Sequence, residues 1–98
     1  MNKFNIKLGT AYYHQGFFNV GIKNSIFLSP KHRDSILIQL GNSPKIIQGY
    51  INRSANPNGT ARIMCGVEYT QWIQKHFNPN DQFKVEILSP KSIRISTL

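Results

Sequence analysis

Hydrophobic and polar residues alternate along most of the chain with a period of two. Phe4, Ile6 and Leu8 alternate with lysine and asparagine, the pattern of a half-buried β-strand, and a second such run covers 18–22. Further strand candidates lie between proline, glycine and asparagine turn signals, at 25–29, 36–40, 45–53, 60–65, 82–88 and 92–96. Many short strands at this spacing predict an all-β sandwich or barrel.

One segment has a helical period instead. Within 67–77, aromatic and aliphatic residues recur three and four positions apart, which predicts a helix of about three turns. Acidic and basic residues at its two ends suit the helix dipole, and Pro79 prevents its continuation. We expect its aromatic stripe, which includes Trp72, to pack against the barrel. A second, shorter helix is predicted at 30–34, where Pro30 fits the first helical position.

The composition adds a strong positive charge to this picture. Twelve Lys and Arg face four Asp and Glu among 98 residues, a formal net charge of +8. Such an excess attracts polyanions, either nucleic acid or an anionic membrane surface, and a basic domain without an anionic partner is the alternative. The chain lacks the ~20 consecutive apolar residues that span a bilayer and has no signal-peptide pattern. We therefore expect one cytoplasmic domain over 1–98 with no membrane partner.

The most informative stretch is a hairpin pattern at 49–66. Two strand-like runs flank a turn at 56–59, and pairing across that turn would place Arg53 opposite Arg62. Two arginines directly across a ladder repel each other, so a phosphate backbone between them would neutralise both. A bulge at Gly59 would shift this register by one residue. The alternative is a pair of solvated arginines splayed apart on an exposed hairpin.

A second polar and aromatic cluster occupies 10–16, between the first two strand candidates. Its tyrosine, histidine and glutamine side chains, followed by Asn19 and Lys23, carry hydrogen-bonding groups that suit a nucleic-acid groove. The alternative is a surface loop whose tyrosines, Tyr12 and Tyr13, pack back on the core.

The hairpin at 50–66, the pair Trp72 and Ile73, and the turn and strand at 80–85 together resemble the B3-type DNA-binding pseudobarrel. The likeness covers about the C-terminal half of the chain. This family includes domains of plant transcription factors and the recognition or effector domains of certain bacterial type II restriction endonucleases. The resemblance implies a mainly β fold, an open seven-stranded pseudobarrel with two short helices, which clamps the major groove of DNA between two arms.

Carried over by position, the resemblance places a C-terminal arm at 53–62 and an N-terminal arm within 12–23. The expected DNA contacts of the C-terminal arm are Arg53, Asn56, Asn58, Thr60 and Arg62. Those of the N-terminal arm are Tyr13, His14, Gln15, Asn19 and Lys23. Arginine suits guanine and asparagine suits adenine in the major groove. The Lys-, Asn- and Ile-heavy composition is typical of bacterial proteins and favours the N-terminal recognition or effector domain of a restriction endonuclease.

The sequence offers no plausible active site. Metal-dependent nucleases hold a cation with clustered carboxylates, whereas the four acids here are scattered. No nucleophile or base can be placed beside any of the three histidines, and Cys65, in an apolar context, is expected to be a buried, reduced thiol. We therefore expect no catalytic residue, no bound metal and no cofactor.

The main hypothesis is sequence-specific binding of double-stranded DNA by a monomer, with a nuclease domain C-terminal to this segment as a further expected partner. The alternative is a single-strand or RNA-binding barrel, in which Tyr12, Tyr13 and Phe17 stack on bases. A third hypothesis is a protein-interaction module whose positive charge meets an acidic partner.

Overall fold

In the described part of the chain, seven strands form one sheet that curls into a nearly closed barrel, accompanied by three short helices. The computed structural model describes residues 2–98. The strands are β1 (Asn2–Lys7), β2 (Phe17–Asn19), β3 (Ser35–Leu40), β4 (Ile46–Asn52), β5 (Arg62–Met64), β6 (Gln82–Ser89) and β7 (Ser92–Ser96). The helices are α1 (Thr10–His14), α2 (Gly21–Ser25) and α3 (Val67–His76). The mainly β, seven-stranded pseudobarrel predicted from the sequence is confirmed.

The strands follow one another in the sheet in the order β1-β6-β7-β3-β4-β5-β2. β3 and β7 pair in parallel, and the remaining neighbours in this order pair antiparallel. β1 and β2 are the two edge strands, so the barrel is open between them. The same order places the short β2 beside β5, next to the loop that connects β4 to β5.

Side-chain alternation along the strands supplies the core. The inward residues of β3, which are Ile36, Ile38 and Leu40, are buried, and α3 adds the fully buried Tyr69 and Ile73. The spacing of four residues between these two places them on the same face of α3, which packs against the sheet. Full burial of one such aliphatic side chain contributes about 1.5–3 kcal/mol, so the barrel and α3 stabilise each other.

Most of the predicted elements are present. The structure confirms strands at or near 36–40, 45–53, 82–88 and 92–96, and α3 covers almost all of the helix predicted at 67–77. No helix among residues 2–98 is long and apolar enough to cross a bilayer.

The segment between β2 and β3 differs from its prediction. The strand expected at 25–29 is instead the end of α2 followed by a turn, and the run predicted at 18–22 keeps its extended form only to Asn19. Gly21 has a φ of +82°, which turns the chain out of the strand. The side chain of Ser25 then donates to the carbonyl of Gly21 at 2.7 Å and supports the short helix.

The helix predicted at 30–34 is also wrong, because this stretch is a turn. Arg33 has a φ of +73°, a left-handed conformation that an α-helix does not contain. With α1 and α2, which the sequence did not predict, residues 2–98 form three short helices rather than two.

Candidate nucleic-acid interface

Strand pairing joins the two predicted arms. β2 belongs to the N-terminal arm and pairs with β5, where the C-terminal arm ends, so that Asn19 lies opposite Arg62. The amide of Val20 also donates to the carbonyl of Ala61 at 3.2 Å. The arms therefore form one continuous surface rather than two separate projections.

The register of the hairpin differs by one residue from the prediction that placed Arg53 opposite Arg62. Arg62 pairs with Asn52, and Arg53 has already left the ladder. The side chain of Asn52 ends β4, because its Oδ1 accepts the amides of Ser54 and Ala55, both at 2.9 Å. This is an Asx-type turn, in which an asparagine side chain takes the place of a ladder partner. The two arginines do not repel each other across the sheet.

Asn19 lies at the junction of the two arms. Its Oδ1 accepts the Nε of Arg62 at 3.1 Å and the Nδ2 of Asn56 at 2.9 Å, and its own Nδ2 donates to the hydroxyl of Tyr12 at 3.0 Å. One half-buried amide thus fixes side chains from α1, β5 and the β4–β5 loop. The resulting polar network holds the surface in one arrangement.

Arg62 is held in place but leaves its outer nitrogens unpaired. Its guanidinium carbon lies 4.4 Å from the ring centroid of Phe17, a cation–π geometry, while its Nε is bonded to Asn19. Within residues 2–98, neither Nη1 nor Nη2 of Arg62 has a hydrogen-bond partner. A guanidinium fork fixed in this way can bind guanine or phosphate with little further loss of side-chain entropy.

Arg53 has a different role, because its guanidinium turns inward. Its nitrogens donate to the carbonyls of Ser25 at 2.8 Å, Leu28 at 3.0 Å and Ser29 at 3.0 Å, and its Nη1 reaches Gly59 at 3.2 Å. Partial desolvation at this position lowers the pKa of Arg53. The structure therefore uses Arg53 as a brace between α2 and the C-terminal arm, and a direct DNA contact by it stays a prediction.

The tip of the C-terminal arm, residues 56–60, is a turn built by its own polar side chains. The Oδ1 of Asn58 accepts the amide of Thr60 at 3.2 Å and its hydroxyl at 2.9 Å, and the Nδ2 of Asn56 bonds the carbonyl of Thr60 at 3.3 Å. Asn58 is exposed, whereas Asn56 and Thr60 are half-buried. Together with Asn19 these residues line a shallow depression on the surface.

The N-terminal arm is less exposed than the sequence suggested. The polar cluster at 10–16 is not an open loop, because α1 covers most of it. Tyr12 and Tyr13 are half-buried, and the hydroxyl of Tyr13 donates to the carbonyl of Phe77 at 3.2 Å. Their rings thus pack back on the core, as in the alternative considered for this cluster. The side chains left exposed in this arm are the polar His14, Gln15 and Lys23 and the apolar Ile22.

Gly16 fastens this arm to the start of α3. It has a φ of +73°, and a Cβ at this position would lie 2.9 Å from the hydroxyl of Thr70 and 3.0 Å from the carbonyl oxygen of Gly66. Its own carbonyl accepts the amide of Cys65 at 2.8 Å. Only glycine meets both conditions without strain, so the position of β2 beside β5 depends on it.

A row of residues that the sequence analysis did not single out extends the surface. On the outer side of the sheet, Tyr50 pairs with Met64 and Ser35, and the guanidinium of Arg33 lies 5.1 Å from the Tyr50 ring centroid. These four residues and Gln15 line a second open depression. Their common position follows from the pairing of β3 with β4 and of β4 with β5, which the alternation pattern alone does not specify. The one sequence signal is an aromatic residue at an outward strand position.

The titratable groups of the described residues are dispersed over the surface and the core. Among residues 2–98 there is no group of three or more His, Cys, Asp or Glu side chains placed to hold a metal ion. His32 accepts the backbone amide of Arg53 at 3.0 Å, and His76 packs against Trp72. Cys65 is buried, and burial raises the pKa of its thiol.

Comparison with known proteins gives a fold likeness without a sequence family. No family model matches the chain, and no curated protein matches its sequence. Among solved structures, the chain is similar to the N-terminal domain of Helicobacter pylori LlaJI.R1, with a TM-score of 0.74 and 12% sequence identity. The alignment covers 100% of this chain and 82% of that chain. At this identity the likeness shows a common fold, and membership of the B3 family stays a prediction.

Proposed function

We propose that this protein binds double-stranded DNA sequence-specifically, through the surface formed by its two joined arms. The observation that carries the proposal is Arg62, whose guanidinium is fixed by Phe17 and Asn19 while its outer nitrogens have no partner among residues 2–98. Such a preformed bidentate donor matches the O6 and N7 acceptors of guanine in the major groove. The net charge of +8 supplies the long-range attraction to a polyanion.

Two further findings support this function. Exposed polar groups at the arm tip, above all Asn58, lie beside Arg62 and Asn19 on one surface. The fold is similar to the N-terminal domain of LlaJI.R1. Together with the B3-type resemblance, this leads us to propose that the chain serves as the N-terminal recognition or effector domain of a bacterial restriction endonuclease, and that it does no chemistry itself.

The first experiment identifies the ligand and its strandedness. Selection from a randomised duplex library at about 50 mM salt, where electrostatic binding is strong, should enrich one sequence. The selected duplex should then bind more tightly than either of its single strands in a fluorescence-anisotropy titration. A clear preference for the single strand would favour the base-stacking alternative. Absence of duplex binding at this salt concentration would favour the protein-interaction module and contradict the proposal.

The second experiment tests Arg62 directly. We expect Arg62→Ala to weaken binding of the selected duplex by about 1–3 kcal/mol and to relax the preference at one base pair. Arg62→Lys should restore little of this loss, because lysine keeps the charge but lacks the planar fork. If Arg62 contacts a phosphate instead, all sequences lose affinity alike and the salt slope falls by about one.

Lys84→Ala is the matched control. Lys84 is a half-buried cation on β6, four strands away from β5 in the sheet order, and its replacement also removes one positive charge. It should change affinity only slightly and leave the sequence preference intact. Equal losses for Arg62→Ala and Lys84→Ala would mean that net charge alone, and not the arm surface, determines binding.

A further inference from the structure

Two large apolar side chains lie exposed beside the C-terminal arm. Ile22 is 70% exposed and Ile26 is 77% exposed, and their spacing of four residues places them on the same face of α2 and the turn after it. They line one depression together with Pro30 and residues 58–60 of the arm tip. We call this pair the isoleucine ridge. It is an apolar strip next to polar, hydrogen-bonding residues.

The ridge and the arm tip are tied together by several hydrogen bonds. Arg53 bonds the carbonyls of Ser25 and Leu28 on the ridge side and that of Gly59 on the tip side. The hydroxyl of Ser25 also accepts the amide of Ala61 at 2.8 Å. A ligand that contacts the tip therefore meets the isoleucine ridge in a fixed position, without rearrangement of α2.

The chemistry of a DNA groove identifies what such a ridge can contact. Phosphates and sugars offer charged and polar groups, and most base edges offer hydrogen-bond donors and acceptors. The apolar group on the major-groove edge is the C5-methyl of thymine. An apolar strip beside the exposed amide of Asn58 matches a thymine methyl next to the polar edges of neighbouring bases.

We infer that Ile22 and Ile26 form a contact site for thymine methyl groups and contribute to sequence preference. This inference rests on the proposed duplex binding and adds to it a defined base chemistry. It also gives a physical reason for the exposure of two isoleucines on a surface otherwise rich in polar groups, since contact with the methyl groups removes their apolar area from water.

The test replaces each thymine of the selected duplex by uracil, one position at a time, which removes only the methyl group. Wild-type protein should bind the duplex about fourfold more weakly for each methyl group that the ridge covers, the equivalent of one buried CH₂. The double variant Ile22→Ala/Ile26→Ala should bind the thymine and uracil duplexes alike at those positions. Because uracil substitution leaves the protein unchanged, this part of the experiment does not depend on the folding of a variant.

Ile46→Ala is the matched control. Ile46 is 56% exposed and begins β4, six residues before Asn52, which corresponds to about 20 Å of extended strand. This variant should keep the wild-type loss on uracil substitution.

The outcomes separate the two proposals. If no duplex binds, the proposed function itself fails. If the selected duplex binds but no uracil substitution weakens it, or if the double variant shows the same loss as the wild type, the methyl-contact site is wrong while the proposed function stands.

Discussion

Arg53 and Arg62 are the same residue type at the two ends of one loop, yet their surroundings give them different tasks. The guanidinium of Arg53 is occupied by backbone carbonyls, including those of Ser25 and Leu28. That of Arg62 is held by an aromatic ring and an amide oxygen that belong to the neighbouring arm, and its outer nitrogens have no hydrogen-bond partner among residues 2–98. At the residue scale, the partners of a side chain decide its role more than its type does.

Tyr69 allows a test of the core at the same scale. Its ring is fully buried near Phe18 and Phe83, and within residues 2–98 its hydroxyl has no hydrogen-bond partner. Burial raises the pKa of this phenol, so it stays neutral at every ordinary pH. An unsatisfied buried hydroxyl costs about 1–3 kcal/mol.

We therefore expect Tyr69→Phe to raise the free energy of unfolding by about 1 kcal/mol. Urea denaturation checks this, with a higher midpoint at an unchanged slope as the expected result. Tyr50→Phe, at a half-buried position on the outer face of β4, should change the midpoint little. A large destabilisation by Tyr69→Phe would show that the hydroxyl has a partner, such as an internal water.

At the scale of elements, the segment 25–29 shows how one side chain can supply the hydrogen bonds that a neighbouring strand would otherwise supply. Its sequence is compatible with a strand, but the carbonyls of Ser25, Leu28 and Ser29 are bonded by Arg53. Backbone groups that are satisfied in this way no longer need a neighbouring strand. The short α2 and the turn after it are therefore tied to the β4–β5 loop, far from them in sequence.

Because Arg53 connects α2 to the C-terminal arm, its removal should change both the stability of the fold and the exchange of amides near the arm tip. Arg53→Ala should lower the free energy of unfolding by about 1–2 kcal/mol, because it removes charge-assisted hydrogen bonds from several carbonyls. It should also loosen the arm tip, measured as faster hydrogen exchange of the Ala61 amide, which is bonded to Ser25. Arg33→Ala, which removes an exposed guanidinium over Tyr50, is the control.

The same variant decides between the two roles of Arg53. If Arg53→Ala weakens DNA binding while stability and exchange stay at the wild-type level, Arg53 contacts DNA directly. If binding falls only together with faster exchange at the tip, the loss of the brace is the cause.

At the scale of the whole molecule, twelve Lys and Arg face only four Asp and Glu, and two of these acids form ion pairs. Lys45 pairs with the exposed Glu68, and Arg94 pairs with Glu86, in each case at 2.6 Å. The Glu86 side chain is only 6% exposed. The hydrogen bond from Arg94 lowers the pKa of this carboxyl, desolvation opposes the shift, and the charges of Arg94, Lys3 and Lys84 add to it. The pair, in which only Glu86 is buried, lies on β6 and β7, away from the arm surface.

Acid should therefore destabilise the protein partly through Glu86. A carboxyl whose pKa in the folded state lies below its unfolded value stabilises the fold above the unfolded value, and this stabilisation is lost as pH falls through the folded value. We expect the free energy of unfolding to fall as pH drops below about 4.5, the ordinary glutamate value. Urea denaturation at pH 7, 5, 4 and 3 measures this loss.

Two variants separate the contribution of Glu86 from that of other carboxyls. Glu86→Gln should be less stable than the wild type at pH 7 and should lose less stability on acidification. Glu68→Gln, in an exposed ion pair, should resemble the wild type throughout, since such pairs contribute little. An acid profile of Glu86→Gln that runs parallel to that of the wild type would contradict this assignment.

The sequence by itself determined the elements whose signals are local. Alternation of polar and apolar residues predicted β3, β6 and β7, and the spacing of aromatic residues predicted α3. Each of these elements buries one face, and the residues on one face recur every two positions in a strand and every three or four in a helix. The excess of cations, which points to an anionic partner, was also visible at once. The short elements α1 and α2 escaped prediction, since two turns or fewer leave no measurable period.

Only the tertiary structure decided which residues share a surface. The pairing of β2 with β5 brings Asn19 beside Arg62, and the Asx turn at Asn52 shifts the hairpin by one residue and sends Arg53 inward. The Asx turn is local, but the pairing of β2 with β5 and the contacts of Arg53 with Ser25 and Leu28 join residues far apart in sequence, and no local pattern encodes these. The amino-acid order therefore determined the barrel and its charge, whereas strand order and register decided that Arg53 turns inward while the outer nitrogens of Arg62 stay without a partner in the described chain.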